Sequence, residues 1–511
     1  MADKTKFIEE LNAKYQPKGE YIVLGKGMLD GEVITEVDVN IPLKTINRHG
    51  LIAGATGTGK TKTLQVFVEQ LSHKGIPTLV MDIKGDLSGI AVEGEQNDKI
   101  NERYAKTKLP YQPQSFPVEL MTISAEKGLK LRATVTEFGP VLLSKILGLN
   151  DTQSSIMSIV FKYADDKGLP LIDLDDLKKT LQYVTDNDEG KKELASNYGA
   201  ISPASLGAIL RSIVALEQQG ATSFFGEPSF DVEDLLQTRG GKGVVNVLRV
   251  ADIQNQPQLF STFMLSLFAE IYMTFPEEGD SGKPKLVLFI DEAHLIFNEA
   301  SKALLSQIET MVKLIRSKGV GIYFITQIPG DVPENVLAQL GLKIQHALRG
   351  FTAKDRKEID KAVENYPITE YYDAGNLIQN LGIGEAFVTA LDEKGIPTPL
   401  VQTYLISPES RMDVLSSDEI DDLVNASDLA EKYNKEIDKE SAYEILTKRM
   451  ETAAAAEQEV KQEESTARQP KEEQGMFEQV LKSRAGRTFT NTLAREGAKF
   501  VLGMFGLKMR R

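Results

Sequence analysis

The stretch that most constrains this chain is a glycine-rich loop between an apolar run and a helical pattern. It matches the phosphate-loop pattern G-x-x-x-x-G-K-[ST] at every fixed position. Glycines permit the positive φ angles that turn successive backbone N–H groups toward an anion, and the following helix adds its positive N-terminus. We therefore predict a nucleotide phosphate site here, rather than a merely flexible Gly/Thr loop. The predicted phosphate-binding set is Gly54-Ala55-Thr56-Gly57-Thr58-Gly59-Lys60-Thr61-Lys62.

The side chains that close this loop have distinct predicted roles. Lys60 is predicted to reach the β- and γ-phosphates of ATP, and the hydroxyl of Thr61 is predicted to hold Mg²⁺. The run Gly50-Leu51-Ile52-Ala53 predicts a strand before the loop, and residues 63–74 show a helical pattern after it. This strand–loop–helix context is the one in which a phosphate loop operates.

A second motif is an apolar run that ends in two carboxylates, Lys285-Leu286-Val287-Leu288-Phe289-Ile290-Asp291-Glu292-Ala293-His294. A run without alternation suits a strand that is buried on both faces of a parallel sheet. Asp291 is predicted to hold the Mg²⁺ shell, and Glu292 to be the base that activates the attacking water. Such a run is common by chance when it stands alone, and its pairing with the phosphate loop makes it specific. His294 is interpreted as a local packing or hydrogen-bonding residue.

Three further residues are candidates for completing the site. Gln327 ends a predicted strand at residues 321–327 and would act as a sensor of the γ-phosphate and the attacking water; capping the strand is the alternative. Arg316 precedes this strand, and Arg349 follows at the end of the next one, predicted at residues 342–348. Either could be an arginine finger across a subunit interface, with Arg316 the first choice. Either could equally be a surface or ion-pairing arginine.

The segment Asp82-Ile83-Lys84-Gly85-Asp86 closes a predicted strand at residues 78–82. That strand follows the loop helix in a βαβ unit, whose right-handed crossover makes the sheet parallel. Ligands of open α/β sheets bind at the carboxyl ends of the strands. Asp82, Lys84 and Asp86 are therefore expected to face the nucleotide or a neighbouring subunit, or else to form a plain polar turn.

Composition narrows the class of protein. A chain of 511 residues can bury a large core in two or three domains. It has no cysteine and four histidines without ligand spacing, which exclude disulfides and disfavour a structural zinc site. With no bilayer-length apolar run and a polar start, the expected compartment is the cytoplasm. A net charge of −15 is unlike a generic nucleic-acid-binding surface, although a ring could carry a local basic patch in its channel.

The patterns divide the chain into an α/β core and additions to it. Short apolar bursts in residues 20–46 predict strands that form a small cap beside the nucleotide site. A change to helical periodicity predicts a helical insertion in the core. The predicted segments are a short N-terminal β segment at 1–46, a core at 47–137 and 239–412, a helical insertion at 138–238, an acidic helical extension at 413–452, a disordered linker at 453–475 and a basic amphipathic segment at 476–511.

The C-terminal segment differs from the rest of the chain in its charge. Residues 482–511 contain eight Lys or Arg and one Glu, with apolar residues between them. Such a segment could contact DNA, an anionic membrane or a protein partner, or it could dock on the body of the protein.

Taken together, four of these motifs resemble those of the HerA/FtsK superfamily of ring ATPases. They are the phosphate loop, the segment Asp82-Ile83-Lys84-Gly85-Asp86, the strand that ends in Asp291-Glu292 and the strand end Ile325-Thr326-Gln327. The resemblance is greatest to bacterial HerA-like proteins and covers residues 20–412. It implies a RecA-like α/β core of the additional-strand, catalytic-glutamate type, a homo-oligomer that is usually a hexamer, and ATP hydrolysis coupled to movement of DNA. Lys60, Thr61, Asp291, Glu292 and Gln327 match the family motifs.

Two functional hypotheses remain open on the sequence. The first is a ring-shaped motor that uses ATP and Mg²⁺ to translocate or unwind double-stranded DNA. The second is a nucleotide-switched scaffold or membrane-associated regulator anchored by the basic segment. A superfamily-2 helicase is disfavoured because no second set of motifs follows residue 350. The segment before Gly50 is too short for the N-terminal barrel through which HerA contacts a nuclease, so a nuclease partner is not expected.

Overall fold

The computed structural model describes residues 3–199, 201–253, 256–279, 281–299, 302–435, 437 and 440–452. The predicted linker at 453–475 and the basic segment at 476–511 lie outside the described residues. Within the described ranges, no helix combines the length and the apolar character needed to cross a membrane.

The strands are short and lie mainly in the first 131 residues and after residue 237. They are β1 Tyr21–Leu29, β2 Glu32–Pro42, β3 Gly50–Ala53, β4 Thr78–Asp82, β5 Val118–Thr122, β6 Leu129–Lys130, β7 Thr238–Arg239, β8 Lys242–Gly243, β9 Val245–Arg249, β10 Leu286–Ile290, β11 Val320–Thr326, β12 Leu342–Gln345, β13 Glu385–Thr389 and β14 Val401–Leu405.

Helices connect these strands and also fill the stretch between β6 and β7. They are α1 Lys4–Tyr15, α2 Lys60–His73, α3 Asp98–Thr107, α4 Val135–Ile146, α5 Asp151–Lys167, α6 Leu174–Asp186, α7 Asp188–Asn197, α8 Pro203–Gln218, α9 Pro257–Thr274, α10 His294–Glu299, α11 Lys302–Ile315, α12 Glu334–Leu337, α13 Ala353–Glu364, α14 Ala374–Asn380, α15 Ser417–Asn425 and α16 Ala430–Tyr433.

One large sheet organises the larger part of the molecule. Among the described residues its twelve strands follow the order β2-β1-β14-β13-β12-β3-β11-β10-β4-β9-β5-β6, and β7 and β8 form a separate hairpin. The strands from β12 to β6 pair in parallel. The sequence prediction of an α/β fold with a mostly parallel sheet is therefore confirmed. Because these strands run in one direction, the loops after β3, β4, β10, β11 and β12 meet at one edge of the sheet.

The centre of the sheet is buried on both faces, as the unbroken apolar run of β10 predicts. Every residue of β10 is 0% exposed. The strand lies between β4 and β11, with Phe289 opposite both Val80 and Tyr323. Phe67 of α2 packs edge-on against Phe289, with the ring centroids 5.5 Å apart. This packing fixes α2, and thus the end of the phosphate loop, against the strand that carries the two carboxylates.

The N-terminal strands, predicted to form a small cap beside the nucleotide site, belong to the main sheet. They form one end of the main sheet, where β1 pairs antiparallel with β14 and Gly25 lies opposite Leu405. A Cβ at Gly25 would lie 2.1 Å from the carbonyl oxygen of Tyr404, so only glycine allows this approach. At the other side of β1, β13 and β14 form an antiparallel hairpin around residues 392–395, with Val388 opposite Val401.

The described chain divides into two units. The larger contains the sheet, in residues up to Leu131 and in Phe230–Lys435; the second contains Arg132–Ser229 and the described residues after Lys435. The second unit is helical, and capping boxes define the starts of α4, α5 and α6 at Thr134, Asn150 and Asp173. The core side of α8 is formed by Leu206, Ile209, Ile213 and Leu216, all of which are buried.

Candidate active site

The phosphate loop lies between the carboxyl end of β3 and the first turn of α2. Gly54, Gly57 and Gly59 have φ angles of 154°, 78° and 109°, in the region that favours glycine. Gly54 is also crowded, because a Cβ there would lie 2.5 Å from the Cβ of His346. A Cβ at Gly57 would meet no atom within 4 Å. Backbone conformation therefore requires glycine at all three positions, and packing against His346 requires it at Gly54.

Lys60 is the first residue of α2, and its ammonium turns back onto the loop. Its Nζ donates to the carbonyl oxygens of Gly54 at 2.5 Å and Ala55 at 3.1 Å. Burial and the neighbouring Lys84 lower the pKa of Lys60, while Glu292 and Asp291 oppose the shift. The lysine is thus a desolvated cation beside the backbone groups that are predicted to bind phosphate.

The next two residues of α2 differ in their surroundings. Thr61 is half-buried in the first turn of the helix. The ammonium of Lys62 donates to the carbonyl oxygen of Met412 at 2.5 Å and to Oε1 of Gln65 at 3.2 Å. Contact of Lys62 with phosphate stays a prediction, and in this structure its side chain bridges α2 to the segment after β14.

The two carboxylates of the second motif follow β10 at the same edge of the sheet. Asp291 is 3% exposed and Glu292 is 7% exposed. Glu292 has a φ of 46°, unusual for a residue other than glycine, and its backbone N–H donates to Oδ1 of Asp291 at 2.9 Å. Burial raises the pKa of Asp291 to about 6. The ammonium of Lys84 opposes this rise, and the charge of Glu292 adds to it. A strained backbone at a buried carboxylate is a feature typical of functional sites.

Lys84 is a site residue whose partner the sequence did not identify. Its Nζ lies 2.5 Å from Oε1 of Glu292. Although burial acts to lower it, the charges of Asp291 and Glu292 raise the pKa of Lys84 above its ordinary value. The structure places Lys84 against the second carboxylate motif, a contact that the sequence interpretation did not include. The adjacency of β4 and β10 produces this contact between residues that are far apart in sequence.

Asp82, by contrast, forms the polar turn that was the alternative interpretation. Its carboxylate is 1% exposed and accepts hydrogen bonds from the backbone N–H groups of Gly85 at 2.8 Å, Asp86 at 3.1 Å and Leu87 at 3.1 Å. Burial raises the pKa of Asp82 to about 7, and these hydrogen bonds oppose the rise. The turn therefore holds the backbone on both sides of Lys84 in place.

His346 is a second residue that the sequence did not single out. It is 0% exposed, and its Nε2 lies 3.0 Å from the hydroxyl oxygen of Thr63 in α2. Its backbone N–H donates to the carbonyl oxygen of Ala53, while Ala55 N–H donates to the carbonyl oxygen of Ala347. Burial lowers the pKa of His346 to about 3, so the ring is neutral. The sequence signal that could have found it is the polar pair Gln345-His346 within the predicted strand at residues 342–348.

The strand before Arg349 is shorter than predicted. The strand ends at Gln345 rather than at residue 348, because His346 and Ala347 turn to bond with the start of the phosphate loop. Arg349 therefore lies in the loop after β12, at the phosphate-loop edge of the sheet. Its guanidinium donates to the carbonyl oxygen of Gln379.

Gln327 and Arg316 lie at opposite ends of β11. Gln327 directly follows the strand and is exposed, next to Thr326, whose carbonyl oxygen accepts from Gly54 N–H at 3.3 Å. Arg316 precedes the strand and is exposed at the amino-terminal edge. A strand of seven residues spans about 20 Å, so Arg316 is remote from the phosphate loop of its own chain.

Crowding at Gly54 leads to a testable expectation. Gly54→Ala places a Cβ 2.5 Å from His346 at a positive φ, whereas Gly31→Ala, also at positive φ, meets nothing within 4 Å. We expect Gly54→Ala to lower the free energy of unfolding by clearly more than ~1 kcal/mol and to weaken ATP binding at least tenfold. Gly31→Ala is expected to have the smaller effect on unfolding and none on ATP affinity. Thermal unfolding and ATP titration measure both; equal effects of the two variants would contradict the role given to His346.

The sequence of this chain also matches a known protein family. The profile of the helicase HerA-like C-terminal family matches residues 29–508. The chain belongs to this family. The HerA/FtsK resemblance predicted from the motifs is thereby confirmed.

Individual relatives of this HerA-like chain are distant in sequence. The DNA double-strand break repair helicase HerA of Saccharolobus solfataricus is 22% identical over 385 residues, which cover 74% of this chain and 68% of that protein. The bacterial conjugative coupling protein TrwBdeltaN70 is 14% identical, with a TM-score of 0.50, and the match covers 80% of this chain and 94% of that one. VirB4 of Thermoanaerobacter pseudethanolicus is 17% identical with a TM-score of 0.47, covering 76% and 97% of the two chains. The likeness to TrwBdeltaN70 supports the RecA-like fold class of this HerA-like protein.

Proposed function

We propose that this protein is an ATP-hydrolysing motor that assembles into a ring, a hexamer by family kinship, and moves double-stranded DNA. The observation that carries the proposal is the meeting of Lys60, Asp291 and Glu292 at one edge of the sheet in a HerA-like chain. Membership in the family, with a DNA repair helicase as a relative, is the support for DNA as the substrate.

The residues at this edge fit ATP and Mg²⁺. The left-handed glycines leave room for phosphate at the loop, and Lys60 supplies a desolvated positive charge. The hydroxyl of Thr61 and the carboxylate of Asp291 are the oxygen donors that Mg²⁺ prefers, and both belong to the phosphate-loop edge. Bound there, Mg²⁺ would neutralise charge on the β- and γ-phosphates.

Glu292 is the residue proposed to act as the base for the attacking water. Its carboxylate is buried beside Asp291, and its Oε2 accepts no hydrogen bond among the described residues. A water held by the Glu292 carboxylate would lose its proton to that carboxylate as it attacks the γ-phosphate. Gln327, exposed at the end of the adjacent strand, is proposed to orient that water.

Strand direction favours Arg316 over Arg349 as a finger that acts on a neighbouring subunit. Arg316 lies at the edge opposite its own phosphate loop, so it can serve only the site of another chain. It lines a cavity of about 360 Å³ with three other basic residues, Lys44, Arg48 and Lys313, together with Glu277 and Glu393. A cleft with this excess of positive charge suits the phosphates of a nucleotide held by the adjacent subunit.

Subunit mixing tests the finger. We expect Arg316→Ala to bind ATP but to hydrolyse it about 10³-fold more slowly. Mixing it with Lys60→Ala should restore part of the activity, because the second variant contributes Arg316 to sites that contain an intact Lys60. Arg349→Ala is the matched comparison. If mixing with Lys60→Ala restored ATP hydrolysis for Arg349→Ala but not for Arg316→Ala, the finger would be Arg349 rather than Arg316.

Two measurements test the proposed motor, namely the stimulation of ATP hydrolysis by DNA and the mass of the assembled protein. With ATP and Mg²⁺, light scattering should give the mass of a hexamer, and double-stranded DNA should raise the ATPase rate several-fold. A strict monomer, or a rate indifferent to DNA combined with binding to anionic liposomes that requires residues 476–511, would favour the switched regulator instead.

A further inference from the structure

The ion pair between Lys84 and Glu292 places a positive charge directly on the proposed base. The two residues follow β4 and β10, which are adjacent strands with Met81 opposite Ile290. Their contact of 2.5 Å is a short charge-assisted bond, and only 9% of the Glu292 side chain is exposed. An ammonium in this position occupies one carboxylate oxygen that would otherwise be available to water.

The other groups around Glu292 do not hold it in the same way. Nδ1 of His294 lies 3.2 Å from Oε2, but that oxygen accepts no hydrogen bond among the described residues. Asp291 is a second carboxylate, which repels Glu292, and the Nζ of Lys60 is bonded to the loop carbonyl oxygens. Lys84 is therefore the cation that fixes the position of the Glu292 carboxylate.

The Lys84 side chain is partly exposed, whereas the turn that carries it is held by hydrogen bonds. Asp82 accepts hydrogen bonds from three backbone N–H groups of the turn, which restrain the main chain around residue 84. The Lys84 side chain itself is 38% exposed, so its ammonium can leave Glu292 for water without unfolding the turn. A flexible cation on a rigid turn can form and break one contact repeatedly.

We propose that Lys84 is a positioning residue that restrains Glu292, so that hydrolysis requires this ion pair to open, and that DNA binding favours the open state. This inference rests on the proposed function, because it assumes that Glu292 is the base. The closed ion pair would keep the basal rate of ATP hydrolysis low, and its opening would permit hydrolysis.

Kinetics on the full chain test the restraint. Lys84→Gln is expected to raise the basal kcat roughly fivefold or more and to reduce the factor by which DNA stimulates it, with KM for ATP changed less than twofold. Lys84→Arg keeps the charge and should retain the low basal rate and the stimulation. A lower kcat in Lys84→Gln, or an unchanged stimulation factor, would overturn the proposal.

A control variant removes a lysine from another ion pair that includes a buried side chain. Lys26 of β1 is paired with Asp38 at 2.6 Å, and its side chain is 8% exposed. Lys26→Gln is expected to lower the unfolding midpoint while leaving basal kcat and stimulation at wild-type values. If Lys26→Gln reproduced the kinetic changes of Lys84→Gln, loss of a buried ion pair would be enough to explain them, and the proposal would fail.

A second measurement is independent of hydrolysis. Lys84→Gln leaves a buried carboxylate without its cation, so it should lower the unfolding midpoint in the wild-type background but not in a Glu292→Gln background. Equal shifts in the two backgrounds would mean that the pair does not form in solution. If the wild-type chain hydrolysed no ATP while this coupling was present, the proposed function would be the part that fails.

Discussion

Glu292→Gln is expected to lower kcat for ATP hydrolysis by ~10²–10⁴-fold while ATP still binds. Glutamine has nearly the same shape as glutamate but cannot accept the proton of the attacking water. The side chain is 9% exposed, and no other carboxylate except Asp291 is adjacent to it in the motif. Since Asp291 is assigned to Mg²⁺, no other carboxylate of the motif is left to act as the base. Steady-state hydrolysis and ATP titration measure the two effects separately.

Glu119→Gln provides the matched control for this substitution. Glu119 lies in β5 of the same sheet, its side chain is 2% exposed, and it is paired with Arg239. Loss of this buried pair is expected to lower the unfolding midpoint and leave kcat unchanged. A Glu292→Gln protein that hydrolysed ATP at the rate of Glu119→Gln would eliminate Glu292 as the base.

Lys60→Ala is expected to act one step earlier, on ATP binding. Removal of the ammonium takes away charge-assisted hydrogen bonds to phosphate, each worth ~1.5–3 kcal/mol, which corresponds to roughly a ten- to hundredfold increase in Kd. The loss should be large because Lys60 is mostly withdrawn from water, where its charge is weakly screened. Titration with a fluorescent ATP analogue measures Kd directly.

Lys343→Ala controls for the loss of a desolvated lysine. Lys343 lies in β12, next to the loop strand β3 and opposite Leu51, and burial lowers its pKa as it does for Lys60. Its ammonium donates to the carbonyl oxygen of Asn365 at 3.2 Å, away from the loop. We expect its removal to leave the Kd for ATP unchanged, and equal weakening by both variants would argue against direct contact between Lys60 and phosphate.

The local motifs were readable from the sequence because their geometry is set within a few residues. The loop from Gly54 to Thr61 contains its own glycines, lysine and helix start, so the motif can be recognised without the distant residues that pack against it. The run that ends at Asp291 likewise shows its burial in its composition. The role of Arg316 stays a prediction because one chain does not contain the neighbouring subunit, and the role of Gln327 stays one because it concerns a bound nucleotide and water.

The sequence by itself determined the phosphate loop, the buried carboxylate strand and the parallel α/β class, since each is encoded by short-range pattern. Only the tertiary structure decided which residues surround them. Strand order brings Lys84 to Glu292 and His346 to Gly54 across separations of more than two hundred residues, and it joins β1 to β14 in the main sheet. Pairing between strands depends on the packing of the whole sheet, and no local pattern around Lys84 or His346 records which strand will lie beside it.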